Sequence, residues 1–327
     1  AAAAAAAAEK FDASALKEHA VMYSQRESDM LSDLFLFCST TEPAVLHDLF
    51  AIVGASNYDQ LAKILVDMSH AAGVTLHILH YFLTKEFDQL QGGKGAILRE
   101  NTVANKMSKA YLVKIGGDYL RWLLGDIVKQ ICVDERKQSY EIDPNKLGDD
   151  HGELPKNLMR LQKAATSVLS RITSSEAVDR MPVEIRKTAK FIADLARRAA
   201  PEQLDALVGG FIMLRYINPA LFSPERHHLL PEGKVVTPTS RRNLILVTKV
   251  LQNLANGVLF TKKEQFMCAM NDTVETCLPL VKKYLQAVVS ITSTTGADAP
   301  VTPRAHAATI IAAPDAGGGG GGAAVVV

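Results

Sequence analysis

The 327-residue sequence has little of most features that announce a function class. An excess of charge of one sign is missing: 36 Lys and Arg face 35 Asp and Glu, for a formal net charge of +1. A protein whose main partner is nucleic acid normally carries a strongly basic footprint, so that class is disfavoured. Long apolar runs are missing too. The longest, Leu207 to Leu214, contains two glycines and falls far short of the roughly 18 residues a membrane-spanning helix needs. No basic segment followed by an apolar one opens the chain, so no secretion signal is recognised. Cys38, Cys132, Cys268 and Cys277 are the only cysteines, and none forms a CxxC. Such scatter fits reduced thiols in a cytosolic protein better than a disulfide framework. The absent initiator Met and the alanine start point to a fragment.

Alternating strand patterns are also nearly absent, with Lys234 to Thr237 the one short candidate. Proline is missing between Pro43 and Pro144 and again between Pro238 and Pro279. Long proline-free stretches rich in Leu, Ala, Lys and Gln favour helix. Periodicity agrees. Tyr119, Leu120, Leu123, Leu124, Ile127, Val128, Ile131 and Cys132 repeat along one helical face, as do Leu244, Val247, Val250, Leu251, Leu254 and Val258. The pattern predicts helices near 28–39, 44–53, 57–70, 73–85, 102–132, 155–174, 182–199, 201–217, 240–258 and 273–290. Gly116-Gly117 is the candidate break point of the longest. At about 150 residues per domain the length suggests two domains or one large one. The expected organisation is a poly-Ala segment over 1–8, one irregular all-α domain over 9–290, and a disordered low-complexity tail over 291–327.

Three loops interrupt the helices: Gln91 to Asn101, Asp134 to Glu153, and the proline-rich Asn218 to Thr239. The first holds Gly92, Gly93 and Gly95 and invites a nucleotide-binding reading, which fails. A phosphate-cradling loop of the form G-x-x-x-x-G-K-[ST] needs a hydroxyl after the lysine and a glycine five places before the second. Here Lys94 is followed by Gly95, and Asp88 stands at the first glycine. A dinucleotide fingerprint would need a third glycine where Leu98 stands. Zinc spacing, H-E-x-x-H and G-x-S-x-G are all absent. Cys38 has no His or acid partner in view. Self-contained catalysis is therefore disfavoured, and no cofactor or metal of its own is expected.

What remains in that loop is Arg99, on a glycine hinge just ahead of a helix that Asn101 or Thr102 can cap. A guanidinium is permanently charged and offers five donors in a planar fork. It suits charge stabilisation in another protein's phosphoryl-transfer site, where an arginine supplied in trans is worth about 10³ to 10⁵ in rate. From spacing alone the plainer reading is stronger, because most loop arginines are solvated or pair with a neighbour such as Glu100.

Three sequence blocks change that balance. Leu98-Arg99-Glu100-Asn101-Thr102-Val103-Ala104-Asn105-Lys106, continuing to Tyr111, Gly116 and Tyr119-Leu120, resembles the arginine-finger region of Ras GTPase-activating proteins. Phe211 to Pro224, FIMLRYINPALFSP, is similar to that family's FLR-F-x-NPA-x-x-SP motif. Arg241 to Asn256, RRNLILVTKVLQNLAN, is similar to its K-x-LQ-x-x-AN helix. The blocks occur in the family's order and cover most of 45–270, the implied catalytic core.

The resemblance implies an all-helical fold with a shallow groove for a small GTPase of the Ras type, Ras or Rap, which carries the GTP and Mg²⁺ itself. Arg99 would be the finger, and Arg215 would brace the finger loop. Leu214, Lys249, Asn253 and Asn256 would face the GTPase, and Asn218 would organise a turn before Pro219. Arg242, Lys249, Gln252, Asn253 and Asn256 do lie opposite the apolar stripe of their helix. Leu98 and Met213 replace residues that are often Phe in the family, and Glu100 replaces a small or neutral one. Glu100 could hold Arg99 unproductively, so the alternative is a non-catalytic scaffold that holds the GTP state; a helical module unrelated to GTPases is the third. The implied setting is cytoplasmic, with recruitment to the inner face of the plasma membrane through modules outside this fragment.

Overall fold

The computed structural model describes residues 21–89, 102–133, 138–147, 151–291 and 324–326. The described residues are almost entirely helical and form two compact units, 1–114 with 293–327, and 115–292.

In the first unit, α1 (Gln25–Thr40) begins at a reciprocal cap. Ser24 Oγ accepts from the Glu27 amide, and the Glu27 carboxylate accepts from the Ser24 amide at 2.8 Å, satisfying two otherwise orphaned donors. The Ser24 hydroxyl also donates to the Glu27 carboxylate at 2.7 Å, and this bond, with the one from the Ser24 amide, holds the carboxyl below its usual range. Helices α2 (Ala44–Val53), α3 (Tyr58–Ala71) and α4 (Thr75–Asp88) follow. Phe50 sits at their centre, edge-on to Tyr58 and Phe82, with Ile78, Leu79 and Leu83 buried around it. The start of α5 (Val103–Val133) runs parallel to α3. Two ion pairs eight residues apart on both helices show this, Lys106–Asp59 at 2.5 Å and Lys114–Asp67 at 2.7 Å. Of the expected tail, only Ile291 and Ala324–Val326 (β2) are described, and β2 pairs antiparallel with Val21–Tyr23 (β1).

The second unit holds the rest of α5, α6 (Leu154–Ile172), α7 (Ser175–Arg180), α8 (Val183–Ala199), α9 (Leu204–Gly209), α10 (Asn218–Phe222), α11 (Pro238–Asn256) and α12 (Asn271–Val289). A π-helical stretch, Gly210–Ile217, joins α9 to α10. Its Phe211, Ile212, Met213 and Ile217 are fully buried, as are Leu244, Val247, Val250 and Leu251 of α11. Gly209 permits this packing: a Cβ there would stand 2.7 Å from the Ala255 carbonyl oxygen of α11.

Three expectations need correction. Lys234–Thr237 is not a strand; it leads into α11, where Thr237 Oγ1 accepts the Ser240 amide at 3.1 Å and Pro238 takes the first helical position. Gly116-Gly117 does not break α5, which continues to Val133. No turn precedes Pro219, since Asn218 continues the helical path into α10. Proline at the second position of α10 is tolerated because its missing N–H falls where the chain changes from π to α pairing. All four cysteines are free. Among the described residues no single helix is long and apolar enough to cross a membrane, and only the bent pair α1 and α2 passes that test jointly.

Candidate functional site

Arg99, Gly92, Gly93, Gly95 and Asn101 lie outside the described residues. The structure takes up the site at Thr102, which caps α5. Its Oγ1 accepts the Asn105 amide at 3.2 Å and donates to Glu86 Oε2 at 2.7 Å. Glu86 belongs to α4 and is buried. One hydroxyl therefore caps α5 and ties it to α4.

The second motif becomes the π stretch and α10. Leu214 and Arg215 are half-buried, between fully buried neighbours. Arg215 Nη1 lies 3.2 Å from where a Cβ on Gly210 would stand, so that glycine leaves room for the guanidinium. Tyr216 fixes the rotation of this segment. Its hydroxyl donates to the Gly116 carbonyl of α5 at 2.7 Å, and its ring stacks on Tyr119 at 6.1 Å. Burial pushes both phenols far above their usual range. Tyr119 in turn donates to the Ala177 carbonyl at 2.8 Å. A Cβ at position 116 would stand 2.2 Å from the Tyr216 oxygen, so Gly116 serves close packing. A π-helical stretch places side chains off the ordinary 3.6-residue repeat and is frequent at functional sites. Asn218, just beyond it, is buried, and its Oδ1 has no hydrogen-bond donor among the described residues.

The third motif is α11. Lys249, Asn253 and Asn256 recur at i, i+4 and i+7 on one face, all half-buried. Lys249 Nζ is ion-paired with Glu264. Glu264 sits in the 3-10 segment Lys262–Met270 with non-helical φ and ψ, −134° and 56°, so the segment is bent where it meets the lysine. The carbonyl of Asn253 accepts from Val258 at 3.0 Å, and Gly257, at φ 66°, ends the helix in the left-handed region. Arg242, expected only on the polar face, grips Glu141 through two bonds, at 2.7 and 2.9 Å. Asn243 is buried beside it, donating to the Gln138 carbonyl at 2.8 Å and accepting from the Tyr140 amide at 2.8 Å. Burial pushes the Glu141 carboxyl up, but Arg242, the Asp143 amide and Lys146 outweigh it and hold it below the usual range. Together Arg242 and Asn243 fasten the segment 138–143 along α11.

Tyr216, Glu264, Glu86 and Asn243 escaped the sequence reading. Tyr216 and Asn243 lie inside the second and third motifs; Glu86 and Glu264 lie outside the motifs and meet the motif residues Thr102 and Lys249.

Residues 78–153 and 149–256 match the family model described as GTPase-activator protein for Ras-like GTPase. Neurofibromin-A of Dictyostelium discoideum is 40% identical over 237 residues, covering 68% of this chain and 26% of that protein. Disabled homolog 2-interacting protein of Mus musculus is 29% identical over 257 residues, 78% of this chain and 20% of that protein. Ras GTPase-activating protein nGAP of Homo sapiens is 28% identical over 282 residues, 84% of this chain and 23% of that protein. The chain thus spans about a quarter or less of these relatives' lengths. Since the family model covers more than half of the sequence, including the second motif and all of the third, this chain belongs to the family of GTPase-activator proteins for Ras-like GTPases.

Proposed function

We propose that this chain binds a GTP-loaded small GTPase of the Ras type, Ras or Rap, and accelerates GTP hydrolysis by supplying Arg99 in trans. The family match across 78–256 carries the reading, and Arg99 stands three residues before the Thr102 cap. A capped helix start gives the finger loop a fixed end from which a guanidinium can be presented. In the partner's site it would offset charge developing on the transferring phosphoryl group. The partner would hold both GTP and Mg²⁺, so this chain contributes no nucleotide or metal site. Arg215 would brace the finger loop, while Leu214, Lys249, Asn253 and Asn256 would meet the GTPase. In that role Lys249 is already oriented by Glu264, and the pair would present a fixed charge pattern to the incoming surface. We place the catalytic core at 45–270 and infer action in the cytoplasm, with recruitment to the plasma membrane through parts of a longer protein.

Single-turnover hydrolysis on Ras- and Rap-type GTPases, with and without the chain, tests this. Acceleration that Arg99→Ala removes is the expected result. Undiminished acceleration by Arg99→Ala would sink the finger assignment. Slowed hydrolysis on adding the parent chain would instead support a scaffold in which Glu100 holds Arg99 back.

A further inference from the structure

A cavity of about 770 Å³ opens within the second unit, between the last third of α5 and one face of α6. That volume lies in the range of small-molecule sites. It is an open groove whose polar lining is largely exposed to solvent. Helix α5 contributes Asp126, Lys129 and Gln130, and α6 contributes Arg160, Lys163 and Ser167 at i, i+3 and i+7. Three cations and one carboxylate thus line it. Among the described residues Lys129 and Lys163 make no hydrogen bond or ion pair. Arg160 is held in place from below. Its Nη1 donates to Asn157 Oδ1 at 2.8 Å, and buried Asn157 donates onward to the Glu141 carbonyl at 2.9 Å. Glu153, 3.6 Å from Arg160, is shared with Lys156 at 2.7 Å and neutralises it only in part.

We propose that this cavity binds a ligand carrying two or more phosphate groups. Cations gathered along one groove give it a positive potential that favours an anion. A phosphate offers acceptor oxygens in several directions, matching point-charge lysines on opposite walls and the planar fork of an arginine. Ser167 and Gln130 add neutral donors for ester oxygens or ring hydroxyls. Ile127, Ile131 and Ala164, which also line the cavity, suit the carbon face of a polyol ring. The same chemistry is offered by a soluble inositol polyphosphate and by a phosphoinositide headgroup. The site is separate from the residues assigned above to the GTPase and does not depend on that reading.

Calorimetric titration of the full chain with inositol hexakisphosphate tests the site. Flotation with phosphatidylcholine vesicles, with and without phosphatidylinositol bisphosphate, identifies the source. Saturable binding should weaken at least about tenfold in Lys129→Gln/Lys163→Gln, one factor of ten being 1.4 kcal/mol, and more in the Glu pair. Lys283→Glu, an exposed lysine outside the cavity, should leave it unchanged. Binding of the soluble probe alone supports a free polyphosphate; binding of phosphoinositide vesicles, with or without the soluble probe, supports a headgroup. Absence of binding to both probes overturns the proposal. So does an equal loss in Lys283→Glu, which would show charge attraction without a site.

Discussion

The two compact units hold their polar side chains in opposite ways. In the second, buried or half-buried groups tie residues about a hundred positions apart: Arg242 to Glu141, Asn243 to Gln138 and Tyr140, Tyr216 to Gly116. The described polar ties of the first are more local or more exposed. Thr102 reaches Glu86 across 16 positions, and the Lys106 and Lys114 pairs have solvent-facing acids. Exposed Met30, Leu34 and Phe37 on α1, with Val45 and Ile52 on α2, leave apolar surface uncovered in the first unit. The difference divides the work of the proposed function. Arg99, the proposed finger, falls in the unit with local ties, and the proposed bracing and docking residues fall in the one clamped by long-range bonds.

The largest effect should separate chemistry from stability. Arg99→Ala is expected to lower the stimulated hydrolysis rate by about 10³-fold or more while leaving the thermal unfolding midpoint unchanged. A lowered midpoint would show that Arg99 is a structural tie of the first unit, and the division of labour would fail.

Acid should loosen the first unit before the second. His80 of α4 is mostly buried, and desolvation, aided by the charge of nearby His77, pushes its pKa down to about 4. It stays neutral in the fold while an unfolded chain would take up a proton near pH 6.5. Stability therefore falls as pH drops through 6.5 and stops falling near 4, by about 3 kcal/mol in all. Glu141 of the second unit is depressed below its ordinary value, so its contribution holds above the unfolded carboxylate pKa and is lost only as pH falls below it. Urea unfolding between pH 7 and 4 should show the slope in the parent and a flatter line in His80→Gln. An unchanged slope would remove His80 as its origin.

A packing prediction probes the second unit alone. Gly116→Ala places a methyl 2.2 Å from the Tyr216 oxygen, and overpacking of this kind costs about 2 kcal/mol after the small gain in helix propensity. Trp122, the chain's single tryptophan, lies in this unit between the guanidinium groups of Arg171 and Arg180, 4.0 and 4.7 Å from its ring, so its fluorescence reports the loss. Adding Tyr216→Leu should make the double variant less destabilised than the sum of the singles. Strict additivity would mean the two positions do not press on each other.

Much of this architecture was legible in the sequence. Proline at 43, 144, 182 and 238 marks helix borders, and the apolar stripes of α5 and α11 fall on their buried faces, except that Val258 lies past the end of α11 and is exposed. What was hidden is of one physical kind. Gly116 looked like a helix breaker because propensity is local, whereas its purpose is set by a phenol 100 residues away. Gly209 and Gly210 stood only as two glycines inside an apolar run, yet one admits the backbone of α11 and the other the Arg215 guanidinium. Lys249 displayed its helical face but not Glu264, because the residue between helices that meets it follows a non-periodic segment. The motifs point to candidate side chains; their partners are written in distances no spacing encodes.

The smallest effect tests the point where the first unit's locality should tell. Thr102→Ala removes the hydroxyl that accepts the Asn105 amide and donates to Glu86. Loss of a cap costs about 1 kcal/mol, and the buried Glu86 carboxylate loses a donor at the same time. Fraying should stay within the first turn of α5, because Lys106 remains paired with Asp59. Hydrogen exchange should quicken at Asn105 and Lys106 and stay at parental rates at Tyr119 and beyond. The stimulated hydrolysis rate should fall only a few-fold, because a loosened finger loop still carries its arginine, and Thr102→Ser should restore both readouts. If exchange instead quickens along the whole of α5, the cap supports the second unit as well. The contrast between a locally tied unit and a clamped one would then not hold at the residue where the proposed finger loop ends.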